Sequence, residues 1–257
     1  MRILALIPAR YASTRFPAKS LALLAGKPIV QHVYERVKAI FPHVYVATDD
    51  QRIAQCVAGF GGQYVMTGTH HKSGTDRCYE ALRHLGEENY DVVINIQGDE
   101  PFIHPTQLTA VAEAFQQPDT QIATLVKPFA PEANWETLAN PNCPKVAVSP
   151  DGRALYFSRS VIPHLRGHEQ SRWPALHTYY KHIGLYAYRT EVLQAITKLP
   201  QSPLEKAESL EQLRWLEAGF CIRVRQTDTE TIGIDTPADL QAAEAYITQH
   251  KSENQQM

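Results

Sequence analysis

Three observations predict an α/β fold with a mainly parallel sheet. Short apolar runs alternate with segments of helical periodicity through the first half of the chain, the order expected of strands that return through helices. One of these runs, DVVINI at Asp91–Ile96, is nearly continuous in apolar residues, as suits a central strand covered on both faces. Polar and charged residues gather just after the apolar runs, where open α/β sheets bind ligands.

Taken in order, Ile3–Ile7 reads as a first strand stopped at Pro8, followed by a loop that carries Arg10, Arg15 and Lys19 among the small residues Ala9, Ala12, Ser13 and Thr14. Cations and free backbone N–H groups at a strand end make an anion seat, and phosphate is the usual anion. After a turn at Gly26, Pro28 is expected at the first position of a helix over 28–40, with Ile29, Val33, Val37 and Ile40 as its apolar stripe. Val44–Ala47 is a second strand, ending in Thr48-Asp49-Asp50. The helix Gln51–Phe60 is stopped by Gly61-Gly62. Tyr64–Met66 is a third short strand. The following TGTHHKSGTDR (67–77) is a loop in which Ser73 and Asp76 resemble a capping box. Gly68 and Gly74 lack Walker spacing, and the sequential pair His70-His71 reads as plain loop rather than metal ligands.

The strand Asp91–Ile96 ends in Gln97-Gly98-Asp99-Glu100-Pro101. Asp99 falls on the same sheet edge as Arg10. A carboxylate beside a polyphosphate repels it unless a divalent cation intervenes, so Asp99 points to Mg²⁺. The alternative is an ordinary turn or capping aspartate. Helix Pro105–Phe115 leads to strand Ile122–Val126. Residues 129–178 then look like an excursion from the parallel core, broken by Pro131, Pro141, Pro144 and Pro150. Within it, Lys145–Ser149 and Ala154–Ser158 flank the turn Pro150-Asp151-Gly152 as a hairpin. Ile162, Leu165 and Trp173, in a segment without periodicity, suit either a subunit interface or a lid.

Tyr179–Tyr188 alternates as a strand, with His182, Gly184, Tyr186 and Tyr188 on one face. Ser202-Pro203-Leu204-Glu205 is a capping box with proline at N1. It opens one expected helix to Ala218, with Leu204, Ala207, Leu210 and Leu213 as stripe and Glu211 and Gln212 off it. Cys221–Gln226 is a further strand. Thr236, Pro237 and Asp239 cap the last helix, which is expected to reach about Gln249, with a polar tail beyond it. Asp235, just before that helix, is either spare capping capacity or a second metal carboxylate.

The 257 residues, with 44% hydrophobic content, suffice for one large domain, and we expect a single domain over 1–257. A formal net charge of -2 argues against nucleic acid as a partner. The four cysteines lack CxxC pairing, which favours free thiols in a reducing compartment. No apolar run reaches membrane-spanning length, and five apolar residues before Pro8 are too few for a signal sequence. A soluble, cytoplasmic protein without membrane insertion is therefore expected.

Five stretches together resemble the 3-deoxy-manno-octulosonate (Kdo) cytidylyltransferases: IPARYASTRFPAK (7–19), HHKSGTDR (70–77), VINIQGDEP (93–101), HIGLYAYR with SPLEKAESLEQLRWLEAG (182–189, 202–219), and TIGIDTPADL (231–240). The first is shared with sialic acid cytidylyltransferases; the QGDEP, HIGLYAYR and SPLE…LEQLR motifs, present together, resemble the Kdo enzymes specifically. The resemblance implies a nucleotide-diphospho-sugar transferase-like, Rossmann-like fold with helices on both faces of its sheet and a β-excursion used in homodimerisation. It implies the reaction CTP + Kdo → CMP-Kdo + diphosphate, dependent on Mg²⁺ and serving lipopolysaccharide biosynthesis. It implies that Ala9, Arg10, Ser13, Arg15, Lys19, Ser73, Arg77 and Gln97 bind the nucleotide. Asp99 and Asp235 match its metal carboxylates and act with Arg10 and Lys19 in catalysis. Arg159, His182, Tyr186, Glu211 and Gln212 match its sugar site. Another acidic sugar (an 8-amino Kdo analogue or a sialic acid) and a non-catalytic nucleotide-binding relative are the alternatives. The chain departs from the family pattern at Arg15-Phe16-Pro17-Ala18-Lys19, where RLPGK is usual, at Ser20, where proline is common, and at Lys72, where glutamine is usual. Alanine adopts positive φ less cheaply than glycine, so the turn that presents Lys19 is expected to differ in shape.

Overall fold

The computed structural model describes residues 1–12, 16–230 and 233–254. Its internal contacts group the chain into two compact units, 1–108 with 231–257, and 109–230. The excursion 129–178 lies within the second.

The first unit is built on β1 (Ile3–Ala9), a small antiparallel pair β2 (Leu23–Leu24) and β3 (Lys27–Pro28), α1 (Ile29–Lys38), β4 (Val44–Thr48), α2 (Gln51–Gly59), β5 (Tyr64–Met66), α3 (Gly74–Leu85) and β6 (Val92–Asn95). Strands β6, β1, β4 and β5 lie side by side in that order, all parallel. Leu4, Ala5, Leu6 and Ile7 are consecutive and fully buried, so β1 is covered on both faces. The helices cap as their sequences dictate: Asp50 accepts from Arg52 N, and Ser73 from Asp76 N.

Among the boundaries that differ from expectation, the last helix runs to Asn254 rather than about Gln249, and two others concern β1 and α1. β1 does not stop at Pro8 but runs to Ala9. Ala5 donates its N–H to His43 on the β4 side, so the alternate residue Pro8 faces the β6 side, where pairing has already ended at Leu6 opposite Asn95. A missing N–H costs nothing there. Pro28 is the N-cap of α1 rather than its first helical residue.

The second unit contains β7 (Ile122–Pro128), α5 (Trp135–Ala139), β8 (Lys145–Val148), β9 (Ala154–Ser158), α6 (Trp173–Leu176), β10 (Tyr180–Arg189), α7 (Thr190–Ile196), α8 (Pro203–Glu208), α9 (Gln212–Glu217) and β11 (Ile222–Gln226); the chain enters it within α4 (Pro105–Glu113), and α10 (Pro237–Asn254) follows it in sequence. β7 pairs with β11 in parallel and with β10 antiparallel, and the expected β8–β9 hairpin forms. Leu165 and Trp173, two of the three residues left open between interface and lid, pack with Leu138, Val161 and Tyr179 into a local core.

Two features of this unit depart from the sequence expectation. First, β10 is not a regular strand. His182 lies opposite Val126 and Ile183 opposite Leu125, but Tyr186 is already opposite Thr124. Thr124 Oγ1 holds this bulge, donating within reach of the carbonyls of Ile183 (3.2 Å) and Leu185 (2.9 Å). Second, the single helix expected over 203–218 is two. Ser209 adopts the left-handed conformation (φ 52°), which ends α8. The break resets the helical phase. Ala207 is exposed, whereas Gln212, expected off the apolar stripe, is buried beside Leu213 and Trp215.

Candidate active site

A cleft of about 290 Å³ opens at the carboxyl ends of β1 and β6 in the first unit. Eight of the predicted residues line it: Ala9, Arg10, Lys19, Ser73, Arg77, Gln97, Asp99 and Asp235. Ser13 and Arg15 lie outside the described residues. One glycine makes a close approach at the cleft possible. A Cβ on Gly98 would fall 2.8 Å from the Pro8 carbonyl oxygen, so only glycine lets the QGD turn cross the end of β1. Gly74, at the start of α3, packs near Pro8 with ordinary contact distances.

The centre of the cleft is a cation between carboxylates. Lys19 Nζ lies 2.5 Å from Asp99 Oδ2 and 2.9 Å from Asp235 Oδ1. Burial works against the ammonium's charge, but the two carboxylates outweigh it and hold its pKa above the usual lysine value. The turn that presents Lys19 has Ala18 in the left-handed region (φ 58°, ψ 20°), the conformation that glycine would adopt without penalty. Asp235 is not a capping residue: Thr236 and Asp239 exchange the capping hydrogen bonds of α10, and the Asp235 side chain turns to Lys19. A backbone bond from Ile234 N to Asp99 O (2.9 Å) fastens the two carboxylate-bearing segments together.

Beside them stands Glu100, which sequence reasoning gave no role. Its Oε2 is buried with no partner among the described residues. Burial, and then the charges of Asp99 and Asp235, push its carboxyl up to about 8. Two carboxylates share one lysine, and their charge is felt by the buried Glu100, so the place is rich in oxygen and in need of positive charge. That chemistry fits Mg²⁺, which takes one or two carboxylates together with phosphate oxygens and water.

Arg77 behaves differently from the other cations. Its guanidinium is buried and donates to Asp49 Oδ2 (2.8 Å) and Thr67 Oγ1 (2.6 Å), so it ties α3 to the ends of β4 and β5 at the cleft wall. Asp49 was visible at the end of the second strand but had no assigned partner. Ser73 spends its oxygen on the N-cap of α3, while Arg10 is exposed at the cleft. His71 also lines the cleft, and its Nε2 is hydrogen-bonded to Glu80 Oε2.

The five sugar-site candidates all lie in the second unit. Arg159 donates from Nε to Glu208 O (2.6 Å), from Nη1 to Pro141 O (2.9 Å) and from Nη2 to Ser209 O (3.3 Å). Its guanidinium is thus aimed by neutral carbonyls, which leave its charge and two further N–H groups for an anion. His182 is within hydrogen-bonding distance of Thr124 Oγ1 (3.1 Å) and packs against Phe157 and Tyr186. Burial lowers its pKa to about 4, which keeps the imidazole neutral at physiological pH. The same burial raises the Tyr186 phenol well above its usual value. Four residues along a regular strand span about 13 Å, yet the His182 and Tyr186 rings are 5.3 Å apart, because the bulge removes two residues from the pairing. Glu211 is hydrogen-bonded by Arg214, and the buried Gln212 Nε2 has no partner among the described residues. Trp215 Nε1, between Tyr186 and Tyr188, is likewise buried without a partner among them. A buried amide and indole N–H with nothing to donate to suit a ligand rich in oxygen.

Comparison with known proteins gives a consistent picture. The family described as Cytidylyltransferase matches residues 4–232. A 3-deoxy-manno-octulosonate cytidylyltransferase of Phocaeicola vulgatus is 62% identical over 253 residues, covering 98% of this chain and 100% of the relative. The protein of the same name from Bacteroides thetaiotaomicron is 61% identical, covering 96% of this chain and 98% of its own. Among solved structures, a CMP:2-keto-3-deoxy-manno-octonic acid synthetase complexed with CTP superposes with a TM-score of 0.88 at 42% identity, over 97% of this chain and all of that one.

Proposed function

This chain belongs to the 3-deoxy-manno-octulosonate cytidylyltransferase family, and from that premise we propose that it activates Kdo by the reaction CTP + Kdo → CMP-Kdo + diphosphate. The observation that carries the proposal at residue level is Lys19 between Asp99 and Asp235 at the base of a cleft that Arg10 also lines. A triphosphate needs cations at its phosphates and a metal held by carboxylates, and these side chains offer both.

In the reaction, the anomeric hydroxyl oxygen of the sugar forms a bond to the α-phosphorus, the bond from that phosphorus to the diphosphate oxygen breaks, and the hydroxyl proton passes to solvent. Nucleotidyl transfer of this kind depends mainly on positioning and charge neutralisation. Arg10 and Lys19 bind the diphosphate portion and stabilise the charge that builds there; the planar guanidinium spans two oxygens, while the ammonium acts as a point charge. Asp99 and Asp235 would hold Mg²⁺, with Glu100 behind them. When bound, the metal neutralises phosphate charge and lowers the pKa of an oxygen it ligates. Gln97 and Ser73 offer polar contacts to the nucleotide. Ser13 and Arg15 are assigned to the nucleotide on the family motif alone.

Arg159 pairs with the sugar carboxylate. Neutral His182, the Tyr186 hydroxyl, Glu211 and Gln212 hydrogen-bond sugar hydroxyls. With a pKa of about 4, His182 is too weak a base to take the hydroxyl proton at neutral pH, so its task is orientation. We also propose a homodimer formed through the excursion 129–178, where Leu155 and Leu176 are exposed. Cytoplasmic location and a place in lipopolysaccharide biosynthesis complete the proposal; among the described residues no helix is long and apolar enough to cross a membrane.

The test is diphosphate release from CTP with Kdo, an 8-amino Kdo analogue and a sialic acid as separate acceptors, each with and without Mg²⁺. Release with Kdo that requires Mg²⁺ is expected. Preference for another acceptor, or full activity in chelator, would overturn the corresponding part of the proposal.

A further inference from the structure

We propose that His70, His71 and Glu80, with His84 beside them, form a binding site for a divalent transition-metal ion of the zinc class, distinct from the oxygen site at Asp99 and Asp235. The proposal does not depend on the sugar or nucleotide assigned above. It starts from placement. One nitrogen of His70, one of His71 and one carboxylate oxygen of Glu80 all lie within 4.8 Å of one another, close enough for small local movements to bring them onto a single ion. His84 follows Glu80 by one helical turn on α3, and its Nε2 is 3.8 Å from Glu80 Oε1.

The surroundings have the features that orient metal ligands. His84 Nδ1 is 3.1 Å from the Met66 carbonyl oxygen, which accepts only an N–H. Nδ1 therefore carries a proton and Nε2 is the nitrogen turned to Glu80, so Nε2 is the atom that would ligate, with the carbonyl orienting the ring from behind. Gly68 N donates to Glu80 Oε2 (2.9 Å), which fixes the carboxylate. Gly68 also provides the space for His70: a Cβ at position 68 would fall 2.5 Å from two atoms of the His70 ring. The two consecutive histidines, which on sequence alone diverge too readily to share an ion, converge here because the loop folds over Gly68 toward α3.

Ligand chemistry selects the metal. Imidazoles with one carboxylate suit Zn²⁺ and neighbouring transition ions, whereas an all-oxygen set suits Mg²⁺. An ion held there would fasten the 68–71 loop to α3. His71 belongs both to this cluster and to the wall of the cleft, so occupancy of the new site would be felt at the nucleotide-facing wall.

The experiment uses the full chain without an affinity tag, stripped with chelator and titrated with Zn²⁺ against a chromophoric chelator. Co²⁺ absorption serves as the coordination readout. One equivalent is expected to bind to wild type and to Asp99→Asn alike, with excess Mg²⁺ failing to displace it. His70→Ala and Glu80→Gln should each weaken it at least about 10-fold, the scale seen when even outer partners of a ligand are lost. Zn²⁺ should raise the melting temperature of wild type but not of His70→Ala, whose exposed side chain makes it a mild substitution in the metal-free protein. Equal Zn²⁺ affinity in wild type and His70→Ala would overturn the proposal, as would binding lost in Asp99→Asn but kept in Glu80→Gln, or no stoichiometric binding by wild type.

Discussion

Replacing Lys19 by methionine removes the ammonium from between two carboxylates while keeping most of the side-chain volume. Two charge-assisted hydrogen bonds disappear, at 2.5 Å to Asp99 and 2.9 Å to Asp235. Each such bond contributes roughly 1.5–3 kcal/mol when well shielded. Lys19 and Asp99 are largely shielded, but the Asp235 side chain is 45% exposed, so its bond must be discounted for solvent. A net loss of about 2–3 kcal/mol follows, and at about 2–4 °C per kcal/mol for a chain of this size the melting temperature should fall by about 4–12 °C. The loss has a second consequence. Without the ammonium, Asp99 and Asp235 lose the cation between them, so Mg²⁺ should raise the melting temperature of Lys19→Met more than that of wild type. Turnover should fall by about 10²–10³-fold, the usual effect of removing one group aimed at transition-state charge. The assay pairs thermal melts across a Mg²⁺ series with diphosphate release at saturating Kdo. A melting temperature within about 1 °C of wild type, with an unchanged response to Mg²⁺, would refute the electrostatic account of the cleft; wild-type turnover would refute the role of Lys19 in the leaving-group site.

Ala18→Gly should stabilise the metal-free protein by up to about 1 kcal/mol, because an L residue in the left-handed region carries a penalty of that order, partly offset by the greater freedom of glycine in the unfolded chain; urea unfolding measures it. Asp99→Asn and Asp235→Asn should each abolish Mg²⁺-dependent diphosphate release while circular dichroism stays that of wild type. Thr124→Val removes the hydroxyl that holds the β10 bulge and reaches His182, so KM for Kdo should rise with KM for CTP unchanged; equal effects on both would contradict a local role. For His182, the folded pKa of about 4 lies below the unfolded 6.5. The unfolded chain alone binds this proton between those values, so this contribution to stability is full above about pH 6.5 and falls as pH drops toward about 4. The loss of urea midpoint between pH 7 and pH 5 should therefore be smaller in His182→Gln than in wild type.

How far each feature could be read from sequence follows from how local its cause is. The parallel strands of the first unit and the caps at Ser73, Ser202 and Thr236 were legible, because apolar runs and capping residues act on their own segments. At Ala18 the expected change in the shape of the turn is not what the structure shows: the alanine itself takes the left-handed conformation that glycine adopts without penalty. The features that sequence patterning missed depend on partners far along the chain. Nothing near Pro8 says that β6 will stop two residues short of it on that side, yet this allows the strand to run on. Nothing in YYKHIGLYAY announces a bulge, since the hydroxyl that holds it belongs to Thr124, some sixty positions earlier. That bulge brings His182 to Tyr186, and the left-handed Ser209 turns Gln212 inward. Two irregularities therefore gather the sugar-site candidates of the second unit, where ideal periodicity would have spread them along a strand and over an exposed helix face. Sequence motifs named these residues one by one, but the contact of His182 with Tyr186 and the burial of Gln212 are properties of broken regularity. The same logic holds at His70 and His71: their spacing argues against a shared ion until Gly68 and α3 bring Glu80 and His84 to them.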